Sequence, residues 1–324
     1  MTALAFDVLT MGRVSVDLYP EQSGVSLAEV RTFAKSLGGS PTNVAVAAAR
    51  LGRSAAVITR VGADGFGPYV RSALRQFGVD DRFVGTDPEL RTPVVFCELH
   101  PPDHFPLLFY RQPTAPDIRI RLEHLDLDAV QRARIFWTTG TGLSDEPSRT
   151  ATLGALEARG RAGITIHDLD YRRSLWPQPD AAGAYQRCAL KLATVAIGNL
   201  EEVAVAVGEA TPEIVARRLL NLGPELAIVK LGERGVVVAW GGELARVEAV
   251  PVRVVNGLGA GDAFGGAVCH GLLAGWDPVR TVRFAAAAGA YVAARLACAD
   301  AMPGEADVLR LMEAADRHPA ERTS

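Results

Sequence analysis

Strand-like and helix-like segments alternate along most of this 324-residue chain, and this alternation constrains the fold more than any other feature. The apolar runs that are typical of buried strands include FDVLTMG, AAVITRVG and GITIHDLD. Between such runs lie stretches with helical periodicity, such as SPTNVAVAAARLG and PEIVARRLLNLG. Because strands that alternate with helices pack as a parallel sheet covered on both faces, the sequence predicts an α/β protein with one large core.

Two segments interrupt the alternation and predict a second, smaller sheet. RVSVDLYP with VRTFAKSLGG, and later RTPVVFCELH with PLLFYRQP, alternate apolar and polar residues with period two, as strands with one wet face do. We interpret residues 11–39 and 91–118 as a small antiparallel β lid. The α/β core then comprises residues 1–10, 40–90 and 119–324. The small sheet could act as a lid over a cleft, or equally as a dimer surface.

The first long helix has recognisable boundary residues. In SPTNVAVAAARLG, Ser40 is the expected N-cap and Pro41 occupies the first helical position. Gly52 follows the last periodic residue and is expected to end the helix.

The composition excludes several functional classes. A formal net charge of -3, with the arginines dispersed among acids, argues against nucleic acid as a partner. No apolar run is long enough to cross a membrane, and the first residues lack the pattern of a secretory signal. The four cysteines are far apart and form no C-x-x-C pair, which predicts reduced thiols in a cytoplasmic protein.

A glycine-rich stretch, VVNGLGAGDAFGGA at residues 254–267, is the strongest candidate for a phosphate site. Its G-x-G-x-G spacing matches neither the dinucleotide fingerprint nor the Walker motif. It leads instead into a helix whose first turn carries Asp262. The amides of Gly259, Ala260 and Gly261 could approach an anion, and Asp262 could accept a proton from a hydroxyl that attacks a phosphoryl group. Alternatively, the glycines only permit close packing and Asp262 only caps the helix.

Six motifs in order resemble those of the ribokinase-like family of sugar kinases. They are GGSPTNVAVAAARLG, RVGADGFG, GNLEE, VKLGERG, GAGD and AAAAGAYVAAR. The resemblance covers nearly the whole chain. It implies a three-layer α/β sandwich with a small β lid, and transfer of the γ-phosphoryl group of ATP, with magnesium, to a sugar hydroxyl.

The resemblance also implies roles for individual residues. Asp262 would be the base, and the amides of Gly259, Ala260 and Gly261 would form the anion hole. The expected nucleotide-side residues are Asn199, Glu202, Lys230, Gly232, Gly235, Asn256 and Gly289, of which Asn199 and Glu202 would act through magnesium. The expected sugar-side residues are Asp17, Gly38, Gly39 and Asn43. Taken alone, Asp17 could be a solvated strand residue and Asn43 a polar group in the first turn of a helix.

One position departs from the family pattern. The glycine loop of the family usually begins with Asp-Thr, whereas here it begins with Asn256 and Gly257. The aspartate commonly helps to hold a monovalent cation, and an asparagine offers an amide oxygen without a charge. The departure therefore leaves potassium dependence open, while Asp262 keeps its expected role.

Arginines bear on the substrate. PLLFYRQPTAPD places Arg111 on an expected lid strand, and HDLDYRRSLW places Asp168 and Arg172 just after a core strand, where α/β folds bind ligands. Arginine pairs bidentately with carboxylates, which a neutral sugar lacks. Alternatively, both arginines are ordinary surface residues. The segments FYRQPTAPD, DLDYR, NGLGAGDAF and CADAMP resemble one subgroup of the family, the sugar-acid kinases.

This second resemblance implies a substrate and an assembly. The four segments are most similar to the branch that phosphorylates the 6-hydroxyl of 5-dehydro-2-deoxygluconate in inositol breakdown. The nearest alternative substrate is 2-dehydro-3-deoxygluconate, and fructose or ribose fit Arg111 and Arg172 less well. A protein that binds nucleotide and sugar without turnover is an alternative of another class, and the intact Asp262 speaks against it. Families of this kind commonly dimerise through the lid, so a homodimer is also expected.

Overall fold

A large sheet runs through the protein, and its strands alternate with helices. The computed structural model describes residues 5–22 and 24–317, so that the ends of the predicted core, residues 1–4 and 318–324, lie outside the described chain. The strands are β1 (Val8–Met11), β2 (Ser15–Pro20), β3 (Phe33–Gly38), β4 (Ala55–Gly62), β5 (Val79–Asp80), β6 (Val84–Asp87), β7 (Val94–Cys97), β8 (Leu107–Tyr110), β9 (Ile135–Thr139), β10 (Ile164–Asp168), β11 (Val195–Asn199), β12 (Leu226–Lys230), β13 (Val236–Trp240) and β14 (Glu243–Val247).

Ten α-helices connect and cover these strands within the described residues. They are α1 (Ser40–Arg50), α2 (Phe66–Gln76), α3 (Leu127–Arg132), α4 (Ser148–Arg159), α5 (Ala182–Leu190), α6 (Leu200–Val207), α7 (Pro212–Leu220), α8 (Ala260–Leu273), α9 (Pro278–Ala293) and α10 (Glu305–Arg317). In none of the described helices is an apolar stretch long enough to cross a bilayer. All four cysteines are free thiols, as their spacing predicts.

The large sheet has the order β14-β13-β12-β11-β10-β9-β1-β4-β5, and β6 also pairs with β4. All pairs from β12 to β5 are parallel, whereas β13 and β14 add an antiparallel edge. Successive residues of β1 face opposite sides: Val8 belongs to one buried cluster and Leu9 to another. A strand buried on both faces needs apolar residues at nearly every position, which explains the continuous apolar runs of the sequence. The predicted α/β class is confirmed.

The two insertions form a separate four-stranded sheet in the order β3-β2-β7-β8. The outer pairs, β2 with β3 and β7 with β8, are antiparallel, whereas the central pair of β2 with β7 is parallel. The central pair is parallel because β2 follows β1 and β7 follows β6, and both preceding strands run in the same direction through their pairing with β4. The predicted small sheet is therefore confirmed, with one parallel pair that the sequence pattern does not reveal.

The first helix begins one residue away from the predicted position. Gly39, with φ of 101°, is the N-cap of α1, and no side chain caps the helix, so the assignment of Ser40 as the N-cap is wrong. Glycine is required there because a Cβ atom at position 39 would lie 2.4 Å from the carbonyl oxygen of Arg13. The predicted stop is confirmed, since Gly52 follows the helix with φ of 80°.

Small residues let α8 approach its neighbours closely. A Cβ atom at Gly266 would lie 2.4 Å from the Cβ of Ala47 in α1, and one at Gly271 would lie 2.8 Å from Thr281 in α9. These contacts bring the start of α8 to the carboxyl edge of the large sheet, where the loops after β1, β10 and β12 also lie. In a parallel sheet this edge is the usual place for a ligand.

Candidate active site

Asp262 lies in the first turn of α8, and its carboxylate does not cap that helix. The N-cap is Gly259, in the left-handed conformation with φ of 79°, and no side chain bonds to the first amides. Asp262 Oδ2 instead accepts a hydrogen bond of 2.8 Å from Nδ2 of Asn43 in α1. The alternative in which Asp262 only caps the helix is therefore excluded.

The surroundings of Asp262 shift the pKa of its carboxyl group. Burial raises the pKa of this carboxyl group to about 6, while the Asn43 hydrogen bond and the charge of Arg13 act in the opposite direction. The charge of Asp170 adds to the increase. A group with a pKa near 6 is ionised at neutral pH and still accepts a proton readily, which suits a general base.

The start of α8 offers free donors beside Asp262. Among residues 5–22 and 24–317, no group accepts a hydrogen bond from the amides of Gly259, Ala260 or Gly261. A Cβ atom at Gly259 would lie 2.6 Å from Sγ of Cys298, so only glycine fits this turn. Unpaired amides at a helix N-terminus, together with the helix dipole, make an anion-binding position.

Asn43 and Asp17 line the side of the cleft next to the small sheet. Asn43 Oδ1 is buried and has no partner among the described residues, although its amide nitrogen binds Asp262. Asp17 accepts a hydrogen bond of 2.7 Å from Ser15 and a longer one of 3.5 Å from Tyr19, and burial raises its pKa. Asp17 is therefore buried rather than solvated. A Cβ atom at Gly38 would overlap the Asp17 carboxylate, at 2.0 Å from Oδ1, which explains that glycine.

Charged side chains meet on the opposite side of Asp262. Lys230 Nζ, at the end of β12, lies 3.9 Å from Oδ1 of Asp168, at the end of β10. Burial raises the pKa of Asp168 to about 7, Lys230 opposes this, and the carboxylates of Glu202, Asp170 and Asp262 add to it. Asp168 therefore faces Lys230, and a nearby cation would favour its ionised form.

Asn199 and Glu202 form a capping box at the start of α6. Asn199 Oδ1 accepts from the Glu202 amide, and Glu202 Oε2 accepts from the Asn199 amide, each at 2.8 Å. The box holds both side chains at the carboxyl edge of β11, and it engages Oε2 of Glu202 and the single side-chain oxygen of Asn199. Within the described residues no group of three His, Cys, Asp or Glu side chains could hold a metal ion directly.

The remaining nucleotide-side glycines have structural reasons for their identity. Gly232 and Gly235 adopt φ of 63° and 82°, and a Cβ atom at Gly235 would lie 2.1 Å from the carbonyl oxygen of Val247. Gly289 lies in α9, where a Cβ atom would come within 3.0 Å of the Ala260 carbonyl oxygen. The structure therefore places Gly289 against the start of α8.

Asn256 is buried and anchors the glycine loop through its amide group. Its Nδ2 donates to the carbonyl oxygen of Leu296 at 2.6 Å, and its Oδ1 accepts from the Leu258 amide at 2.9 Å. The side chain thus ties the loop before α8 to the segment after α9. Both ends of the amide are already engaged by protein groups.

The two predicted arginines differ in their availability. Arg111 follows β8 rather than lying in it, so its expected position on a strand is wrong by one residue. Its two terminal nitrogens lie 2.6 and 3.4 Å from the carboxylate oxygens of Asp117, and both side chains are largely buried. Arg172 remains 45% exposed, with Nε 3.3 Å from Oδ1 of Asp170. Arg111 is therefore already paired, whereas Arg172 is accessible.

Two charged residues of the site escaped the sequence analysis. Arg13 follows β1, and Asp170 lies two residues beyond β10 with φ of 23°, the only positive φ of a non-glycine residue in the described chain. The period-two pattern of Asp168, Asp170 and Arg172 around the fully buried Leu169 could have identified Asp170. Arg13 could have been found from its position at the carboxyl end of a core strand.

Known proteins share this fold and much of this sequence. Residues 5–304 match the family described as pfkB family carbohydrate kinase. The chain is 32% identical over 305 residues to a Clostridium perfringens protein named 5-dehydro-2-deoxygluconokinase, and the matched region covers 92% of this chain and 90% of that one.

Two solved structures show the same ribokinase-like fold. One is a fructokinase double mutant from Vibrio cholerae O395 in a fructose, ADP and potassium ion bound form, with 26% identity and a TM-score of 0.85, covering 95% of this chain and 99% of that one. The other is a putative ribokinase II from E. coli in complex with ATP and Mg²⁺, with 24% identity and a TM-score of 0.85, covering 96% and 100%.

Proposed function

Because the chain belongs to the pfkB family of carbohydrate kinases, we propose that it phosphorylates the 6-hydroxyl of 5-dehydro-2-deoxygluconate, with Asp262 as the general base. The resemblance to ribokinase-like sugar kinases is thereby confirmed, and the protein is an ATP-dependent carbohydrate kinase. The observation that carries the proposed chemistry is the position of Asp262, which is held by Asn43 beside the free amides of α8.

Asp262 accepts the proton of the attacking hydroxyl as its oxygen bonds to the γ-phosphorus of ATP. The bond from that phosphorus to the bridging oxygen breaks, and ADP leaves. The amides of Gly259, Ala260 and Gly261 stabilise the charge on the phosphoryl oxygens, where fixed donors are most effective. The hydrogen bond from Asn43 keeps the carboxylate of Asp262 directed at the hydroxyl rather than at its own helix.

The sugar hydroxyls bind on the side of Asn43 and Asp17. The buried Oδ1 of Asn43 has no hydrogen-bond partner among the described groups, and an unpaired buried acceptor is unfavourable. A substrate hydroxyl that donates to it would supply the missing hydrogen bond. Asp17 lies on β2 and offers a second acceptor. Gly38 and Gly39 allow β3 and the start of α1 to approach this pair closely.

The nucleotide phosphates bind on the side of Lys230, with the glycines at 232, 235 and 289 shaping the backbone. Asn199 and Glu202 fit a magnesium ion that is held through water and phosphate oxygens, because Mg²⁺ retains several waters and takes few protein carboxylates. When bound, magnesium neutralises charge on the β- and γ-phosphoryl oxygens. Asp168 and Glu202 favour that cation by facing it with negative charge, which Lys230 alone only partly balances.

The choice of a sugar acid rests on the arginines and on the name of the relative. Arg172 is exposed at the carboxyl edge, where a substrate carboxylate can reach it; its Nε lies 3.3 Å from Asp170, and a neutral sugar would add no charged partner to that pair. The Clostridium perfringens relative is named for 5-dehydro-2-deoxygluconate, and the reaction would then belong to inositol breakdown. We place the reaction in the cytoplasm, where ATP is available and buried thiols stay reduced.

A coupled assay of ADP release tests the substrate. The panel contains 5-dehydro-2-deoxygluconate, 2-dehydro-3-deoxygluconate, fructose and ribose, with ATP and magnesium. We expect the highest kcat/KM for the first acid. Preference for the second acid would replace the proposed substrate, preference for fructose or ribose would overturn acid recognition, and binding of ATP without turnover of any compound would indicate a sensor.

We also propose that the protein forms a homodimer through the outer face of the small sheet. On this face the rings of Phe33, Phe96 and Tyr110 are in edge contact, with centroids 5.4 and 5.3 Å apart. Leu108 and Tyr110 are 47% and 62% exposed. An exposed apolar face of this kind is typical of an interaction surface.

A further inference from the structure

Arg13 is buried in the site without a hydrogen-bond partner. Its side chain is only 10% exposed, and its Nε is completely covered by protein. Among the described residues, no group accepts a hydrogen bond from the guanidinium, and its only ion pair, with Asp170, spans 3.9 Å. Because a buried donor of a charged group is costly unless it is paired, the Nε of Arg13 suits a partner that the described residues do not supply.

The backbone of Arg13 cannot turn away from the cleft. Its carbonyl oxygen accepts a hydrogen bond of 3.0 Å from Thr42 in α1, and Gly39 packs directly against it. The next amide, of Val14, donates to Asp117 Oδ2 at 3.2 Å. The segment is therefore held from two sides, which fixes the point from which the Arg13 side chain enters the cleft.

The guanidinium lies on the sugar side of the site. Its Cζ is 5.8 Å from the ring centroid of Phe109 in β8, and burial raises the pKa of both Asp17 and Asp262 while the charge of Arg13 opposes that rise. Arg13 nevertheless forms no ion pair with either carboxylate in the described structure. The nucleotide side has its own positive groups, the amides of α8 and Lys230.

Asp170 holds Arg13 and Arg172 together. Its Oδ2 lies 3.9 Å from Nη2 of Arg13 and its Oδ1 lies 3.3 Å from Nε of Arg172. Thr141 Oγ1 donates to the same carboxylate at 3.0 Å. A positive φ at a buried non-glycine residue is strained, and such strain is typical of functional positions. Within this group of three, two guanidiniums share one carboxylate, so a substrate carboxylate would give each guanidinium a carboxylate.

We propose that Arg13, with Arg172 beside it, binds the carboxylate of the substrate, and that Asp170 positions both guanidiniums. The proposal rests on the proposed function, since it explains how that site selects a sugar acid. Arg111 is less suited to this role because Asp117 already occupies its terminal nitrogens. A neutral sugar leaves the buried donors of Arg13 unpaired, which is how such a site discriminates.

The test compares the acid that the wild type prefers with the carboxamide of the same compound, using wild type, Arg13→Gln and Arg13→Lys. We expect Arg13→Gln to raise KM for the acid by about 10- to 150-fold, the equivalent of a hydrogen bond to a charged group. KM for the carboxamide and for ATP should change by less than about threefold. Lys at position 13 should restore part of the acid preference, because it keeps the charge but not the planar fork.

Two further variants act as comparisons. Arg173→Gln replaces an exposed neighbour of Arg172 and should leave both KM values unchanged. Arg111→Gln breaks the pair with Asp117 and should lower the unfolding temperature, with equal effects on acid and carboxamide. The thermal midpoint of each variant separates loss of binding from loss of fold.

The outcomes distinguish this inference from the proposed function. If the wild type prefers 2-dehydro-3-deoxygluconate, the proposed substrate is wrong, yet a selective loss of that acid in Arg13→Gln still supports the role of Arg13. If the wild type prefers 5-dehydro-2-deoxygluconate but Arg13→Gln weakens acid and carboxamide equally, the inference alone is overturned. A higher KM for ATP or a lower kcat without a change in KM for the acid would assign Arg13 to the phosphoryl group.

A double-mutant cycle tests the positioning by Asp170. Asp170→Asn should raise KM for the acid by a smaller factor in the Arg13→Gln background than in the wild type, because the part of its effect that passes through Arg13 is already lost and only the part through Arg172 remains. A merely structural role would give the same factor in both backgrounds. Additive effects would therefore overturn the assignment of Asp170 as the residue that positions Arg13.

Discussion

At the scale of single residues, one hydrogen bond shows that Asp262 does not cap its own helix. It leaves this carboxylate available for the proposed catalytic role. Asn43 directs the carboxylate across the cleft, and burial holds its pKa at about 6. The same asparagine keeps its Oδ1 unpaired, ready for a sugar hydroxyl. The proposed base and the proposed substrate acceptor are thus coupled through one amide group, which neither residue type indicates when it is considered alone.

The pH dependence of turnover should report Asp262. Because its pKa is raised to about 6, the carboxyl group becomes protonated as the pH falls through that value, and a protonated carboxyl cannot accept the hydroxyl proton. We expect kcat/KM to be half-maximal near pH 6 and to decrease at lower pH.

Replacement of the carboxyl group tests the same role directly. Asp262→Asn should lose ~10²–10⁴-fold in kcat while still binding ATP. The exposed Asp180→Asn is the control, and near-normal turnover in Asp262→Asn would remove Asp262 from this role.

Potassium dependence can be tested at Asn256. In the wild type both ends of the amide are engaged, so we expect equal activity in potassium chloride and in choline chloride. In Asn256→Asp a carboxylate oxygen would face the Leu296 carbonyl, costing about 1–3 kcal/mol unless a cation lies between them. The unfolding temperature of this variant should therefore rise with potassium but not with choline. Activation of the wild type by potassium would contradict the prediction.

At the scale of elements, the position of α8 matters most, because its N-terminus supplies both the free amides and the proposed base, Asp262. Close contacts at Gly266 and Gly271 bring this helix against α1 and α9, and Gly289 admits its first carbonyl. The glycines of α8 therefore pack the helix, and those just before and at its start form the loop. The packing role and the functional role do not exclude each other. Packing and anion binding are properties of the same helix at different ends.

The contact of α8 with α1 predicts a strong effect of one methyl group. In Gly266→Ala the new Cβ would lie 2.4 Å from that of Ala47, so the helices must separate. We expect a loss of ~1–3 kcal/mol in the free energy of unfolding, as for overpacked cores, together with reduced kcat. Gly65→Ala is the matched control, since its new Cβ meets nothing within 4 Å. Equal stability of the two variants in urea unfolding would contradict this account.

At the scale of the whole molecule, the small sheet has two faces with different chemistry. Ser15, Asp17 and Tyr19 of β2 face the site, and the alternate residues of the sheet form the outer apolar face. A partner copy on that face would cover exposed rings and hold the sheet in place over the cleft. Assembly and substrate binding would then involve opposite sides of one sheet.

Charge on the outer face should prevent dimerisation. We expect the wild type to sediment as a dimer, and Leu108→Glu with Tyr110→Glu to sediment as a monomer, because burying unpaired carboxylates is unfavourable. Leu309→Glu is the control, since Leu309 is 43% exposed on α10 at another surface. A monomeric wild type, or a double variant that remains dimeric in analytical ultracentrifugation, would contradict the prediction.

Local patterns predict what depends on nearby residues. Continuous apolar runs predict buried strands because both of their faces are covered. The period-two segments predict the small sheet because its two faces differ, although the polar side, with Ser15 and Asp17, is buried against the site and not wet as the pattern suggested. The start of α8 and Asp262 are visible in the sequence for the same reason, since a glycine turn and its helix are local. The prediction of Ser40 as the N-cap of α1 was wrong because the N-cap, Gly39, packs against the carbonyl oxygen of Arg13, which is distant in sequence.

The sequence alone determined the α/β class, the small sheet, the glycine loop and, through its ordered motifs, the kinase family. Only the tertiary structure decided which charges meet. Among the described residues it paired Arg111 with Asp117, left the Nε of Arg13 buried without a hydrogen bond, and placed Asp170 between Arg13 and Arg172. The physical reason is that an ion pair depends on distances of a few ångströms between segments far apart in the chain, whereas periodicity and turn chemistry depend on neighbours.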